Sequence, residues 1–206
     1  MPSGAQLFVE CLKALGVTHV FSLPGTGIMS LLEALAEAPE IRTITVRHEQ
    51  IAAHMADGYA RVSGKPGVVL VSRGPGAANT LVGLTCAYPA CSPVLVIAGQ
   101  SPTHWIGREA FEEFDLVAMF RPVTKYAFQA QRAATFPEVL RRTFWKASSG
   151  PPGPALLSVP ADLFREEIEA VPSLSALPVP PRPRPDASTI NRTLKLLLEA
   201  RCPVML

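Results

Sequence analysis

The chain has 206 residues, of which 48% are apolar and 17% charged, with a formal net charge of +2. That composition excludes a disordered or supercharged protein, and so small a charge marks no nucleic-acid partner. The length suffices for one well-buried domain and the start of another.

Residues 3–15 read as an amphipathic helix, with Leu7, Phe8, Cys11, Leu12 and Leu15 at three- and four-residue spacing. The opening "MPSGAQLFVECLKALG" has no basic segment followed by a continuous apolar stretch, so no signal peptide is expected. "THVFSL" (18–23) is a strand ending at "PGTG", and "IMSLLEALAEA" (28–38) is a helix with Pro39 just beyond it. A β-branched run, "IRTITV" (41–46), reads as a buried strand that breaks off into Arg47, His48 and Glu49. The helix that follows is expected to bury Ile51, Met55, Tyr59 and Val62.

"GVVLVS" (67–72) and "PVLVIAG" (93–99) are continuous apolar runs, which suit parallel strands covered on both faces. Between them "GAANTLVGLTCAY" (76–88) reads as one helix; later "FPEVLRRTFWKASS" (136–149) is helix and "PALLSVP" (154–160) strand. Alternation at this spacing predicts a three-layer α/β domain with a mostly parallel central sheet over residues 1–165. Residues 172–185 contain six prolines and no apolar period, so 166–187 reads as a stiff linker. "ASTINRTLKLLLEA" then restarts a helix, capped by Ser188 or Thr189, and "RCPVML" looks like the first residues of a strand. Residues 188–206 are thus expected to be the truncated start of a further domain. The longest apolar runs are strand-length, so a cytoplasmic protein with no membrane partner is expected. Cys11, Cys86, Cys91 and Cys202 form no CxxC pair and are expected to be buried small hydrophobes, with no metal site.

In parallel sheets ligands bind beyond the carboxyl ends of the strands. Three unusual turns fall there: "PGTG" (24–27), "RHE" (47–49) and "RGPGAAN" (73–79). Taken singly, each is ordinary: glycine turns need φ values closed to other residues, and a glutamate is favoured at a helix start by the dipole. His19, His54 and His104 have no partner pattern, and G-x-S-x-G is absent. "GTGIMS" approximates G-x-G-x-x-G, with Glu49 following Gly25 by 24 residues, as in a dinucleotide fold. Against that stand Ser30 in place of the third glycine, Pro24 before the turn, and the unexplained "GPGAAN".

Together, "GVTHVFSLPGTG", "RHEQIAAHMADGYARVSGKPGVVLVSRGPGAAN" and "SPVLVIAGQSP" resemble the N-terminal pyrimidine-binding domain of thiamine diphosphate enzymes, the acetolactate synthase-like group. "PVTKYAF" and "GPPGPALLSVPADL" extend the resemblance over residues 4–165. It implies that Glu49 hydrogen-bonds N1′ of the cofactor's aminopyrimidine and favours the tautomer that takes the proton from C2 of the thiazolium. The activated carbon attacks a 2-oxo acid, and the cofactor stores the electrons released on decarboxylation. A carboxyl in a closed apolar cleft suits such proton sharing.

By the same resemblance Pro24, Gly25, Thr26, Gly74, Pro75, Gly76 and Asn79 bind the cofactor, with Asn79 fixing its turn. Thr26, Gln100, Phe111 and Glu112 line the substrate path, within "AFEEFD" (110–115) for the last two. Many relatives carry Phe-Gln-Glu where this chain has Phe111-Glu112-Glu113, and a small hydroxyl residue in place of Arg73. The resemblance further implies Mg2+ and diphosphate bound by a C-terminal domain, FAD in some middle domains, and a site shared between two copies in a homodimer or tetramer. The alternatives are one subunit of a split decarboxylase and a non-catalytic nucleotide- or cofactor-binding module.

Overall fold

The computed structural model describes residues 1–169 and 184–204. Six strands, all parallel, make one sheet: β1 (His19–Ser22), β2 (Arg42–Thr45), β3 (Gly67–Val71), β4 (Val94–Gln100), β5 (Tyr126–Gln129) and β6 (Ala155–Pro160), in the order β2-β1-β3-β4-β6-β5. The helices are α1 (Gly4–Ala14), α2 (Met29–Ala36), α3 (Glu49–Ser63), α4 (Pro75–Asn79), α5 (Leu81–Ala87), α6 (Leu116–Phe120), α7 (Phe136–Ser148) and α8 (Ala187–Glu199).

Two cores cover the two faces of the sheet, because successive strand side chains point to opposite sides. Val68 and Leu70 face α1, α2 and α7, where Phe8, Phe136 and Phe164 pack with ring centroids 5.0–6.0 Å apart. Val69 and Val71 face α3 and α5, against Ala52, Ala56 and Leu84. Residues 166–168 still belong to this body: Gly4 N donates to the Glu166 carbonyl, and Ile168 N to that of Pro2.

The continuous apolar strands come out as expected, but several local expectations are corrected. On α3 the buried residues are Ala52, Ala53, Ala56, Asp57 and Ala60, whereas Ile51, Met55 and Val62 are exposed and Tyr59 is half-buried. The reason is the close crossing with α5: a Cβ added at Gly83 would stand 2.5 Å from the Ala53 Cβ. Strand β2 is the sheet's edge, and Arg42, Thr43 and Thr45 are exposed, so it is no buried strand. The expected helix over 76–88 divides into α4 and α5 at Thr80, whose N–H reaches back only to Ala77. Only Cys11 is buried, its thiol pushed up to about 12 by burial and the charge of Glu10; Cys86, Cys91 and Cys202 are exposed.

Asp186, two residues before the earlier of the expected caps Ser188 and Thr189, caps α8 by accepting from Thr189 N. No strand occurs in residues 201–204. Most of the expected linker, residues 170–183, lies outside the described residues. Among the described residues no helix is long and apolar enough to cross a membrane.

Candidate active site

The strand order creates a switch point. From β1 the chain moves outward to β2, and from β3 it moves the other way, so the turns after β1 and β3 part and leave a crevice beyond their carboxyl ends. Those turns are Pro24–Gly27 and Arg73–Asn79, and the end of β2 delivers Arg47–Glu49 beside them.

Three close approaches hold the rim together. A Cβ at Gly25 would fall 2.6 Å from the Ser72 Cβ, and one at Gly99 would fall 2.6 Å from the Gly27 carbonyl oxygen. Ser72 Oγ accepts a hydrogen bond from Gly27 N at 3.3 Å. Gly74 adopts φ +48°, a conformation side chains rarely take, and a Cβ there would stand 2.5 Å from the Glu112 carbonyl oxygen. That approach sets the segment 107–114 against the β3 turn. Ser72 and Gly99 were missed in the sequence; a small residue closing a strand beside two glycine turns is the signal that finds them.

The Arg-His-Glu junction divides its labour. Arg47 is exposed, and His48 is the N-cap of α3, its Nδ1 accepting from Gln50 N at 3.2 Å. Glu49, the first residue of the helix, is half-buried and turns inward. Its Oε2 accepts from Asn79 Nδ2 at 3.0 Å, a bond that joins the β2 and β3 turns across the crevice. Its Oε1 faces the bare backbone of Gly76, where a Cβ would stand only 3.2 Å away. One carboxylate oxygen is therefore fixed and the other packs close to the bare Gly76 backbone. Pro24 and Pro75 are exposed at the mouth, Pro75 opening α4.

Thr26 is exposed and accepts from Arg73 Nη2 at 3.1 Å. Gln100 is buried, with both ends of its amide engaged: Nε2 donates to the Phe114 carbonyl and Oε1 accepts from Ser101 N. It thereby ties β4 to the 107–114 segment. Phe111 is 74% exposed, and Glu112 stands in the left-handed region at φ +56°. Glu113 organises that segment by accepting from Gly107 N and Ala110 N, and these amides hold its carboxyl below the usual glutamate range. Among the described residues no group of three or more His, Cys, Asp or Glu could hold a metal ion.

The arrangement supplies an oriented carboxylate among glycine turns at an open rim, a hydrogen-bonding partner for a nitrogen-bearing group. Comparison with known proteins agrees with that chemistry. Residues 2–119 match the family described as thiamine pyrophosphate enzyme, N-terminal TPP binding domain. The chain is 40% identical over 210 residues to acetolactate synthase isozyme 3 large subunit of Escherichia coli, covering 100% of this chain and 36% of that protein. It is 38% identical over 207 residues to the acetolactate synthase large subunit of Buchnera aphidicola (98% and 36%). To the probable acetolactate synthase large subunit of Methanocaldococcus jannaschii it is 38% identical over 208 residues (98% and 35%). The chain thus spans about a third of the length of these curated relatives. With the glutamate at the head of α3 and the glycine turns of β1 and β3 brought to one crevice, the match fixes the family: the chain belongs to the thiamine pyrophosphate enzymes, as their N-terminal TPP-binding domain.

Proposed function

We propose that this chain holds the aminopyrimidine of thiamine diphosphate in an enzyme that decarboxylates or joins 2-oxo acids, in the manner of an acetolactate synthase. One observation carries the reading: Asn79 pins Glu49 Oε2, while Oε1 faces the side-chain-free backbone of Gly76. A ring nitrogen brought to Oε1 would meet a carboxylate already oriented, so little ordering would remain to be done on binding. Glu49 would share a proton with that nitrogen, and Asn79 would keep the carboxylate from swinging away. Pro24, Gly25 and Thr26 would bound the ring on one side, Gly74 and Pro75 on the other. When bound, the cofactor supplies an acidic carbon and an electron sink for the leaving carboxylate. Gln100 would act by holding the 107–114 segment, with Phe111 and Glu112 on the substrate's approach.

In this proposal the pyrimidine-binding domain runs from residue 1 past 165 to Ile168, the expected linker over 166–187 is shortened by the residues the fold takes at each end, and α8 with the residues after it is the start of a middle domain. The exposed Ile190, Leu194, Leu196 and Leu198 on α8 support the last point, as apolar surface left for further chain to cover. Diphosphate and Mg2+ would be held by a C-terminal domain, FAD by a middle domain where one is used, and a second copy in a dimer or tetramer would complete the cytoplasmic enzyme. A dinucleotide reading is disfavoured, because Glu49 is tied to Asn79 instead of standing free for a ribose.

Glu49→Gln tests the reading, since it keeps the shape and removes the proton exchange. In the protein at its full native length, kcat on a 2-oxo acid should fall about 10²–10⁴-fold with an unchanged unfolding midpoint. Wild-type turnover would sink the role.

A further inference from the structure

Arg73 is held by contacts that do not exhaust it. Nη2 donates to Thr26 Oγ1, and the guanidinium lies 5.9 Å from the centre of the Phe111 ring. Nε is buried without a hydrogen-bond partner; Glu112 Oε2 stands 3.6 Å away, an ion pair that falls short of a hydrogen bond. Among the described residues nothing accepts from Nη1. The side chain lines a cleft of about 450 Å³ shared with Thr26, Pro102, His104 and Arg165, at the carboxyl ends of β1, β3, β4 and β6. The cleft's own acids have other partners: Asp162 accepts from Thr103 N and Oγ1, and Glu166 Oε2 accepts from Ala133 N. Among the described residues the ion pair of Arg73 is to Glu112, not to either of them.

We propose that Arg73 binds the carboxylate of a monocarboxylic 2-oxo acid, and that Glu112 is the internal counter-charge which that carboxylate displaces; this rests on the 2-oxo acid chemistry proposed above. A guanidinium takes a carboxylate through two parallel N–H donors. Glu112 holds Arg73 by charge alone, on a residue strained at φ +56°, so an incoming carboxylate competes against a weak tether. Once displaced, Glu112 stays beside the cleft and repels a second carboxylate. The pair thus admits monocarboxylates and discriminates against dicarboxylates, which an uncharged residue at that position does not do.

The test uses the cofactor-free 206-residue chain. The Arg73 side-chain Nε–H resonance is followed by NMR during titration with pyruvate and, separately, 2-oxoglutarate, at constant ionic strength with sodium chloride as control. Pyruvate should move that resonance saturably, chloride should not, and 2-oxoglutarate should bind more weakly. Glu112→Gln should tighten pyruvate about fivefold, the scale of one partly exposed ion pair, and bring 2-oxoglutarate level with it. Glu112→Asn, which tolerates positive φ, removes the same charge should the glutamine variant fail to fold. A resonance unmoved by pyruvate, an equal response to chloride, or an affinity indifferent to loss of the Glu112 charge would each overturn the subsite. Thiamine, read at the Asn79 amide in the same sample, separates the two ideas. If thiamine moves Asn79 and pyruvate leaves Arg73 alone, only the subsite fails; the reverse removes the cofactor reading and spares anion binding at Arg73.

Discussion

A glutamate at the first position of a helix has an ordinary structural use, because the exposed N–H groups there favour a negative charge. At Glu49 the surroundings go beyond that use: Asn79 reaches across from another turn to hold one oxygen, and the other packs against the side-chain-free backbone of Gly76. Gly76→Ala separates fold from site. The new methyl would stand 3.2 Å from Glu49 Oε1 and 3.5 Å from the Ser72 Cβ, close enough to displace a flexible carboxylate but not backbone. Replacing a helical glycine by alanine otherwise stabilises by about 0.4–1 kcal/mol. Urea unfolding should therefore show an unchanged or higher midpoint, while thiamine affinity falls by at least about tenfold, ~1.4 kcal/mol. Undiminished thiamine binding would place the ring elsewhere. Glu49, Gly25 and Gly74 were legible in the sequence because turn chemistry is local. Ser72 and Gly99 were not, since their importance lies in which backbone they touch, and that depends on the packing of β1, β3 and β4.

Among the elements, long parallel strands announce themselves because both faces are buried, as in Val68–Val71 and Val94–Ala98. Short β5, half-buried at the sheet's edge, and five-residue α6 carry too few periodic positions to be read. Helix α3 shows a different failure. Its largest apolar residues suggest the buried face, whereas the close crossing with α5 is lined on α3 mainly by alanines and meets Gly83. The same helix buries Asp57, whose carboxylate receives Arg61 Nε at 2.8 Å and Nη2 at 2.9 Å, while Nη2 reaches the Cys86 carbonyl on α5 at 3.5 Å. Burial alone would raise this carboxyl's pKa, but Arg61 and the Ser92 hydroxyl outweigh it and hold the value below the usual aspartate range. A carboxyl depressed in the folded state contributes stability above its unfolded value, about pH 4, and loses it as pH falls through the lower folded value. Urea unfolding of the wild type should weaken progressively below about pH 4, and in Asp57→Asn that part of the slope should disappear. Parallel pH curves for the two proteins would remove the pair from the stability of the α3–α5 contact.

At the scale of the whole molecule, the sheet offers one switch-point crevice, and in the proposed function the residues around it would grip one end of the cofactor. Glu49 and Asn79 would meet the ring, yet Glu49 is only half-buried, Thr26 is exposed and Phe111 is 74% exposed. The expected closed cleft is thus not completed by the described residues, and none of them forms a cluster that could hold the metal a diphosphate needs. In the proposed division of the cofactor, recognition by this chain should stop at the pyrimidine. Thiamine and thiamine diphosphate should bind it with the same affinity, measured by calorimetry, and Mg2+ should change neither. In the site proposed for the full-length enzyme, by contrast, the metal-bridged diphosphate would contribute much of the free energy, since charge-assisted contacts to phosphate are the strong ones. A Mg2+-dependent preference for the diphosphate in the 206-residue chain would mean that it holds both ends of the cofactor itself, and that the proposed division between a pyrimidine-holding and a diphosphate-holding part is wrong.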